Sequence, residues 1–99
     1  MALIASAAVR GETRYATTIT ARGHHLTADE PVRAGGQDTG PTPMELVLAA
    51  LGSCSSITLR MYADRKGWEL GEIAVALRLF KDKAGEVVTT RIERDLSFS

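Results

Sequence analysis

At 99 residues, 44% of them hydrophobic, the chain has the length and apolar content for one packed domain over 1–99, and not for two. Twelve basic and twelve acidic residues cancel, which removes the electrostatic footprint of a protein that binds nucleic acid or an anionic membrane surface. The opening MALIASAAV has no basic n-region, no run of apolar residues approaches the roughly 18 to 20 needed to span a bilayer, and one cysteine with no targeting segment fits a reducing, cytoplasmic setting.

Within the first thirty residues, short alternating runs occupy Leu3 to Arg10, Arg14 to Ala21 and His24 to Ala28, separated by Gly11-Glu12 and Arg22-Gly23. This predicts a three-stranded antiparallel meander, with Tyr15, Thr17, Thr18 and Ile19 supplying the β-branched and aromatic content that strands favour. From Asp29 to Pro41 the pattern dissolves into DEPVRAGGQDTGP, a loop long enough to carry function.

Thr42-Pro43-Met44-Glu45 opens a helix. Thr42 is placed to cap the third amide, Pro43 suits the first helical position, and Glu45 can reach back to complete a capping box. Helical character continues to Lys66, where Gly67 stands as the stop. Between Leu46 and Leu51 the helix is apolar on every side, and Cys54, Ile57 and Met61 continue one stripe with Val47, Ala50 and Leu51. A helix so apolar around its circumference needs cover from more than one direction, which a homodimer would supply.

After the helix, Ile73, Val75, Leu77 and Leu79 alternate along one strand, Lys81 to Gly85 reads as a hairpin loop, and Val88, Ile92, Leu96 and Phe98 share a parity on the return strand. Thr89, Arg91, Glu93, Asp95 and Ser97 fall on the other face and meet water, so the hairpin offers one apolar face to the helix. The expected class is α+β, with a meander, a long central helix and a C-terminal hairpin.

The lone cysteine is the chemical centre of the sequence. Cys54 is a packing residue, a metal ligand with partners elsewhere, or a reactive nucleophile. His24 and His25 are adjacent on a strand and point to opposite faces, and one cysteine makes no zinc spacing, so no metal is expected. The segment Gly35-Gly36-Gln37-Asp38-Thr39-Gly40 lacks the Walker lysine and the GxGxxG spacing, and is better read as the turn into the helix than as a phosphate cradle. No cofactor is expected. Cys54 lies three turns into the helix, beyond the reach of the N-terminal dipole, and Arg60 is about 240° around the helix from it. A reactive Cys54 needs a cation delivered from elsewhere, and Arg33 in the preceding loop is the candidate; a solvated loop charge is the alternative for that arginine.

The string GPTPMELVLAALGSC followed by SSITLRMYADRKGW resembles the OsmC/Ohr family, the osmotically inducible and organic hydroperoxide resistance proteins. The resemblance extends over nearly the whole chain, through the segment DEPVRAGGQDTGPTPMELVLAALGSC and into the hairpin. It implies an intertwined homodimer, with long central helices packed against sheets built from both subunits, that reduces organic hydroperoxides in oxidative-stress defence. Cys54 matches the peroxidatic cysteine. Its thiolate would attack the distal peroxide oxygen and become a sulfenic acid, with Arg33 matching the loop region of the arginine that stabilises it.

Two departures accompany the resemblance. In the peroxidase branches a glutamate directly follows the helix-opening proline; here that position is Met44 and the acid falls at Glu45, about 180° around the helix from Cys54. Glu45 is explained as the capping-box acid and stands as a weaker catalytic candidate. The family's second, resolving cysteine follows the last strand seen here, so within these residues recycling falls to an external thiol reductant. The competing reading is a non-catalytic dimer of the same fold that holds a small hydrophobic ligand at the subunit interface, with Cys54 as lining.

Overall fold

The β-branched run Ala16–Ala21 becomes the middle strand of a three-stranded antiparallel sheet. In the computed structural model, which describes residues 2–99, the order is β1 (Ala8–Thr13), β2 (Ala16–Ala21), β3 (His24–Ala28), a 3-10 turn at Val32–Ala34, α1 (Pro43–Lys66), β4 (Ile73–Ala84) and β5 (Val87–Phe98). This is the α+β class with the expected meander, helix and hairpin. The residues fall into two compact units, one ending at Leu46 and one running Val47–Ser99, and each is described by itself.

In the N-terminal unit the sheet order is β1-β2-β3, with Val9 opposite Ile19 and Ile19 opposite Leu26. The first strand is not the one expected. Gly11 and Glu12 lie inside β1, where the register shifts between Gly11 and Thr13, and the turn moves to Arg14-Tyr15. A bulge absorbs the glycine that reads as punctuation in sequence. Arg14 takes φ 47°, and its side chain donates from Nε and Nη2 to the Gly35 carbonyl at 3.1 and 2.6 Å. The Arg22-Gly23 turn stands where it was expected, with φ 49° and 82°, the two positive values of a type I′ hairpin turn.

The glycine-rich loop folds around one carboxylate. Asp29 is 1% exposed, and it accepts from the amides of Glu30 (2.7 Å), Gln37 (3.3 Å) and Thr39 (3.1 Å) and from the Thr39 hydroxyl (2.7 Å). Backbone bonds from Asp29 to Pro41 and from Asp38 to Glu30, each 3.0 Å, close the loop across its base. The capping box forms as read: the Glu45 amide donates to the Thr42 hydroxyl at 3.1 Å, and the Thr42 amide to Glu45 Oε1 at 2.9 Å.

In the C-terminal unit α1 ends at Gly67, which takes φ 73°. The Gly67 amide donates to Asp64 at 3.2 Å and that of Trp68 to Ala63 at 2.8 Å, the paired bonds of a Schellman stop. Trp68 then meets Tyr62 edge to face, with ring centroids 5.5 Å apart. Arg60 reaches past this end to the carbonyls of Leu70 and Gly71, so its guanidinium ties the connecting segment to the helix.

The hairpin is longer than expected. Lys81 to Ala84 continue β4, paired with Val87 to Thr90, and only Gly85 and Glu86 form the turn. Gly85 has φ 63°, and a glycine in the first place of a two-residue loop suits the twist of the strands. The charges of Lys81, Asp82 and Lys83 read as a loop, but opposite Thr90, Thr89 and Val88 they sit on exposed strand. From Ile73 to Leu79 exposure alternates residue by residue, with the apolar side chains half-buried. The opposite face carries the Arg78–Glu93, Arg78–Asp95 and Arg91–Glu93 ion pairs at 3.1, 3.1 and 3.5 Å.

The helix comes close to the hairpin at Gly52. Gly52 and Ala63 are the buried residues of α1, and a Cβ placed on Gly52 would lie 2.7 Å from Leu77 Cδ1. A Cβ there would have to push the end of the Leu77 side chain aside. The apolar stripe lies elsewhere: Val47, Ile57 and Met61 are 52%, 55% and 62% exposed. By length and composition alone α1 is also long and apolar enough to cross a membrane, which the count of unbroken apolar runs passes over because Ser53, Ser55, Ser56 and Thr58 interrupt it. This is weak evidence, since the core helix of a soluble protein meets the same criterion.

Candidate functional site

Cys54 is exposed. It lines a groove of about 500 Å³ together with Leu51, Ser55, Thr58, Arg94 and Leu96. Helix α1 supplies one wall, where Leu51, Cys54, Ser55 and Thr58 fall at spacings of one helical turn or one residue. Strand β5 supplies the other. Of these residues only Cys54 and Arg94 carry ionisable side chains, and Leu51 and Leu96 make the walls apolar.

Arg94 is the residue that reading the sequence passed over. It pairs with Leu77 between the pairs Val75–Leu96 and Leu79–Ile92, and strand alternation places it on the apolar face rather than with Glu93 and Asp95. The signal was present: residue 94 has the parity of Ile92, Leu96 and Phe98, and a charge in an apolar row needs an explanation. Its Nη1 donates to the Ser55 hydroxyl at 2.9 Å, and that hydroxyl donates in turn to the Leu51 carbonyl at 3.0 Å. The guanidinium is thus fixed to the residue next to the thiol.

The other sequence candidates are placed as follows. Arg33 sits in the 3-10 turn of the N-terminal unit, exposed, and its side chain makes no hydrogen bond among the described residues. Glu45 is engaged in the capping box with Thr42. His25 Nδ1 shares a hydrogen bond with the Thr20 hydroxyl at 3.2 Å, and among the described residues no three of His, Cys, Asp and Glu cluster in a way that could hold a metal.

A second concavity of about 450 Å³ lies where Gly52, Ser56 and Ile57 meet Ile73, Val75 and Leu77. Its lining residues carry no ionisable side chain, and the hydroxyls of Ser53 and Ser56 are its polar side-chain groups. In the N-terminal unit the Asp29 carboxyl is perturbed. The Thr39 hydroxyl holds its carboxyl below the ordinary aspartate value, burial pushes the other way, and the amides of Glu30, Thr39 and Gln37 add to the lowering. That carboxylate is consumed in holding the loop.

These features define an α+β protein with a helix-borne thiol exposed in an apolar, arginine-flanked groove. Residues 35–99, from the second half of the glycine-rich loop through the helix and hairpin, match the OsmC-like protein family. Since that match takes in well over half of the sequence, the chain belongs to the OsmC-like family. Cys54 and Arg94 lie inside the matched residues; Arg33 lies just before them. Among curated proteins no match was found.

Proposed function

We propose that the chain is a thiol-dependent peroxidase that reduces organic hydroperoxides through Cys54, working as a cytoplasmic homodimer in defence against oxidative stress. The observation that carries this reading is the exposure of Cys54 in a groove walled by Leu51 and Leu96: an open thiol amid apolar side chains suits an organic peroxide better than hydrogen peroxide. The exposed stripe of Val47, Ile57 and Met61 on the same helix supports a second copy as the missing cover.

In this reading the Cys54 thiolate attacks the distal oxygen of the hydroperoxide. The S–O bond forms, the O–O bond breaks, and the electron pair leaves on the alkoxide, which takes a proton and departs as an alcohol. Sulfur is oxidised to sulfenic acid and the peroxide is reduced. Two equivalents of an external thiol restore Cys54, yielding a disulfide and water. Arg33, from the ordered loop, is the cation proposed for the thiolate, and Glu45 remains a lesser candidate because the capping box already uses its carboxylate.

The test is direct: cumene hydroperoxide is added to purified protein and sulfenic acid on Cys54 is trapped with dimedone and located by mass spectrometry. Oxidation far faster than that of free cysteine supports the peroxidase, and oxidation at the free-thiol rate rejects it. The engagement of Glu45 with Thr42 favours a second reading, a non-catalytic dimer holding a small hydrophobic ligand, which the same slow rate together with ligand-dependent stabilisation would support.

A further inference from the structure

Resting on the peroxidase reading, we infer that Arg94 is a catalytic residue of this chain, the donor that meets the reacting oxygens at Cys54. Three observations lead to it. Arg94 stands in the apolar row of β5, opposite Leu77, where a guanidinium gains nothing from the ion pairs that occupy Arg78, Glu93 and Asp95 on the other face. It lines the same groove as Cys54, and of the residues lining that groove it is the one with a basic side chain. Its Nη1 is anchored on Ser55, the residue after Cys54, while Nε and Nη2 make no hydrogen bond among the described residues.

A planar guanidinium held at one nitrogen keeps the donors of its other edge oriented. In a groove walled by Leu51 and Leu96, the other polar side chains of the lining are the thiol and the hydroxyls of Ser55 and Thr58. A hydroperoxide entering the groove brings two oxygens. As the O–O bond breaks, charge gathers on the oxygen that leaves, and a fixed donor beside it lowers the barrier because it does not reorganise at that moment. Arg94 accordingly hydrogen-bonds the departing alkoxide, and Ser55, whose hydroxyl bridges Arg94 and the Leu51 carbonyl, positions it.

The experiment measures the single-turnover rate of Cys54 sulfenic acid formation with cumene hydroperoxide, a neutral substrate, in the wild type, Arg94→Met, Arg94→Lys, Ser55→Ala and Arg33→Met, each checked by thermal unfolding. Arg94→Met is expected to lower the second-order rate constant about 10- to 100-fold, Arg94→Lys to recover part of it, and Ser55→Ala to lose less than Arg94→Met. The inference is overturned if Arg94→Met keeps the wild-type rate while Arg33→Met loses it. It is equally overturned if Ser55→Ala matches Arg94→Met in rate and both melt early. Wild-type Cys54 reacting no faster than free cysteine overturns the peroxidase and this role together, an outcome distinct from a fast wild type whose Arg94 variants are equally fast.

Discussion

Leu77 and Arg94 face each other across the hairpin, so a guanidinium stands in a row where its neighbours are Ile73, Val75, Leu79, Ile92, Leu96 and Phe98. On the helix side Leu77 marks where Gly52 comes close, and Arg94 marks where Ser55 is held. The pair therefore fixes which helical residues rest on the sheet and which, Cys54 among them, open beside it.

Because Cys54 is exposed, its sulfur does little for packing. Cys54→Ser is expected to abolish consumption of cumene hydroperoxide while leaving the unfolding free energy from urea titration within about 0.5 kcal/mol of wild type. A large stability loss would return Cys54 to the role of a packing residue.

The contact at Gly52 opposes two effects. Alanine improves helix propensity by about 1 kcal/mol, and its Cβ, 2.7 Å from Leu77 Cδ1, displaces only the end of a flexible side chain. Gly52→Ala is expected to be within about 1 kcal/mol of neutral, whereas Gly52→Val loses about 1–3 kcal/mol by overpacking. Urea unfolding of the two variants separates these outcomes.

The start of α1 depends on the hydroxyl of Thr42, which holds the Glu45 amide at 3.1 Å. Thr42→Ala is expected to cost about 1 kcal/mol and Thr42→Ser much less. Equal losses in chemical denaturation would mean that the threonine methyl, rather than the cap, matters.

Acid should loosen the loop around Asp29. Its carboxyl is held below the ordinary value of 3.8, so the folded chain binds that proton less readily than the unfolded one. The stabilisation is complete above the unfolded value and is lost as pH falls through the lower folded value. Urea midpoints at about pH 5 and about pH 2.5 should differ more in the wild type than in Asp29→Asn, and equal differences would remove Asp29 from the acid response.

The proposed dimer places the stripe of Ile57 and Met61, 55% and 62% exposed, against a second copy. A charge there meets an apolar surface without a partner. Ile57→Asp is expected to sediment as monomer at micromolar protein where wild type is dimeric, and a dimeric Ile57→Asp would move the interface elsewhere.

Local chemistry made much of the fold legible. The capping box at Thr42 and Glu45, the glycine stop at Gly67 and the Arg22-Gly23 turn each involve a few neighbouring residues whose types dictate the geometry. Gly11-Glu12 and Lys81–Lys83 misled for the converse reason: a glycine and a run of charges mark turns in isolation, but a strand on either side tolerates both as a bulge and as an exposed edge. The site was half legible. Cys54 stands out as a single thiol, whereas Arg94 lies 40 positions further along the sequence and reaches the groove only through the pairing of β4 with β5, a non-local relation that no window of sequence contains.

The loop around Asp29 arrives at any encounter with its ordering already done. Four donors on one carboxylate and a carbonyl clasped by Arg14 settle the backbone near Arg33 during folding, when entropy is lost anyway. A molecule that meets this segment finds a preset contour and is spared the cost of arranging it. Selection there works by fit to a standing shape, and a peptide cut between Asp29 and Thr39 would undo it without touching a single residue of the helix.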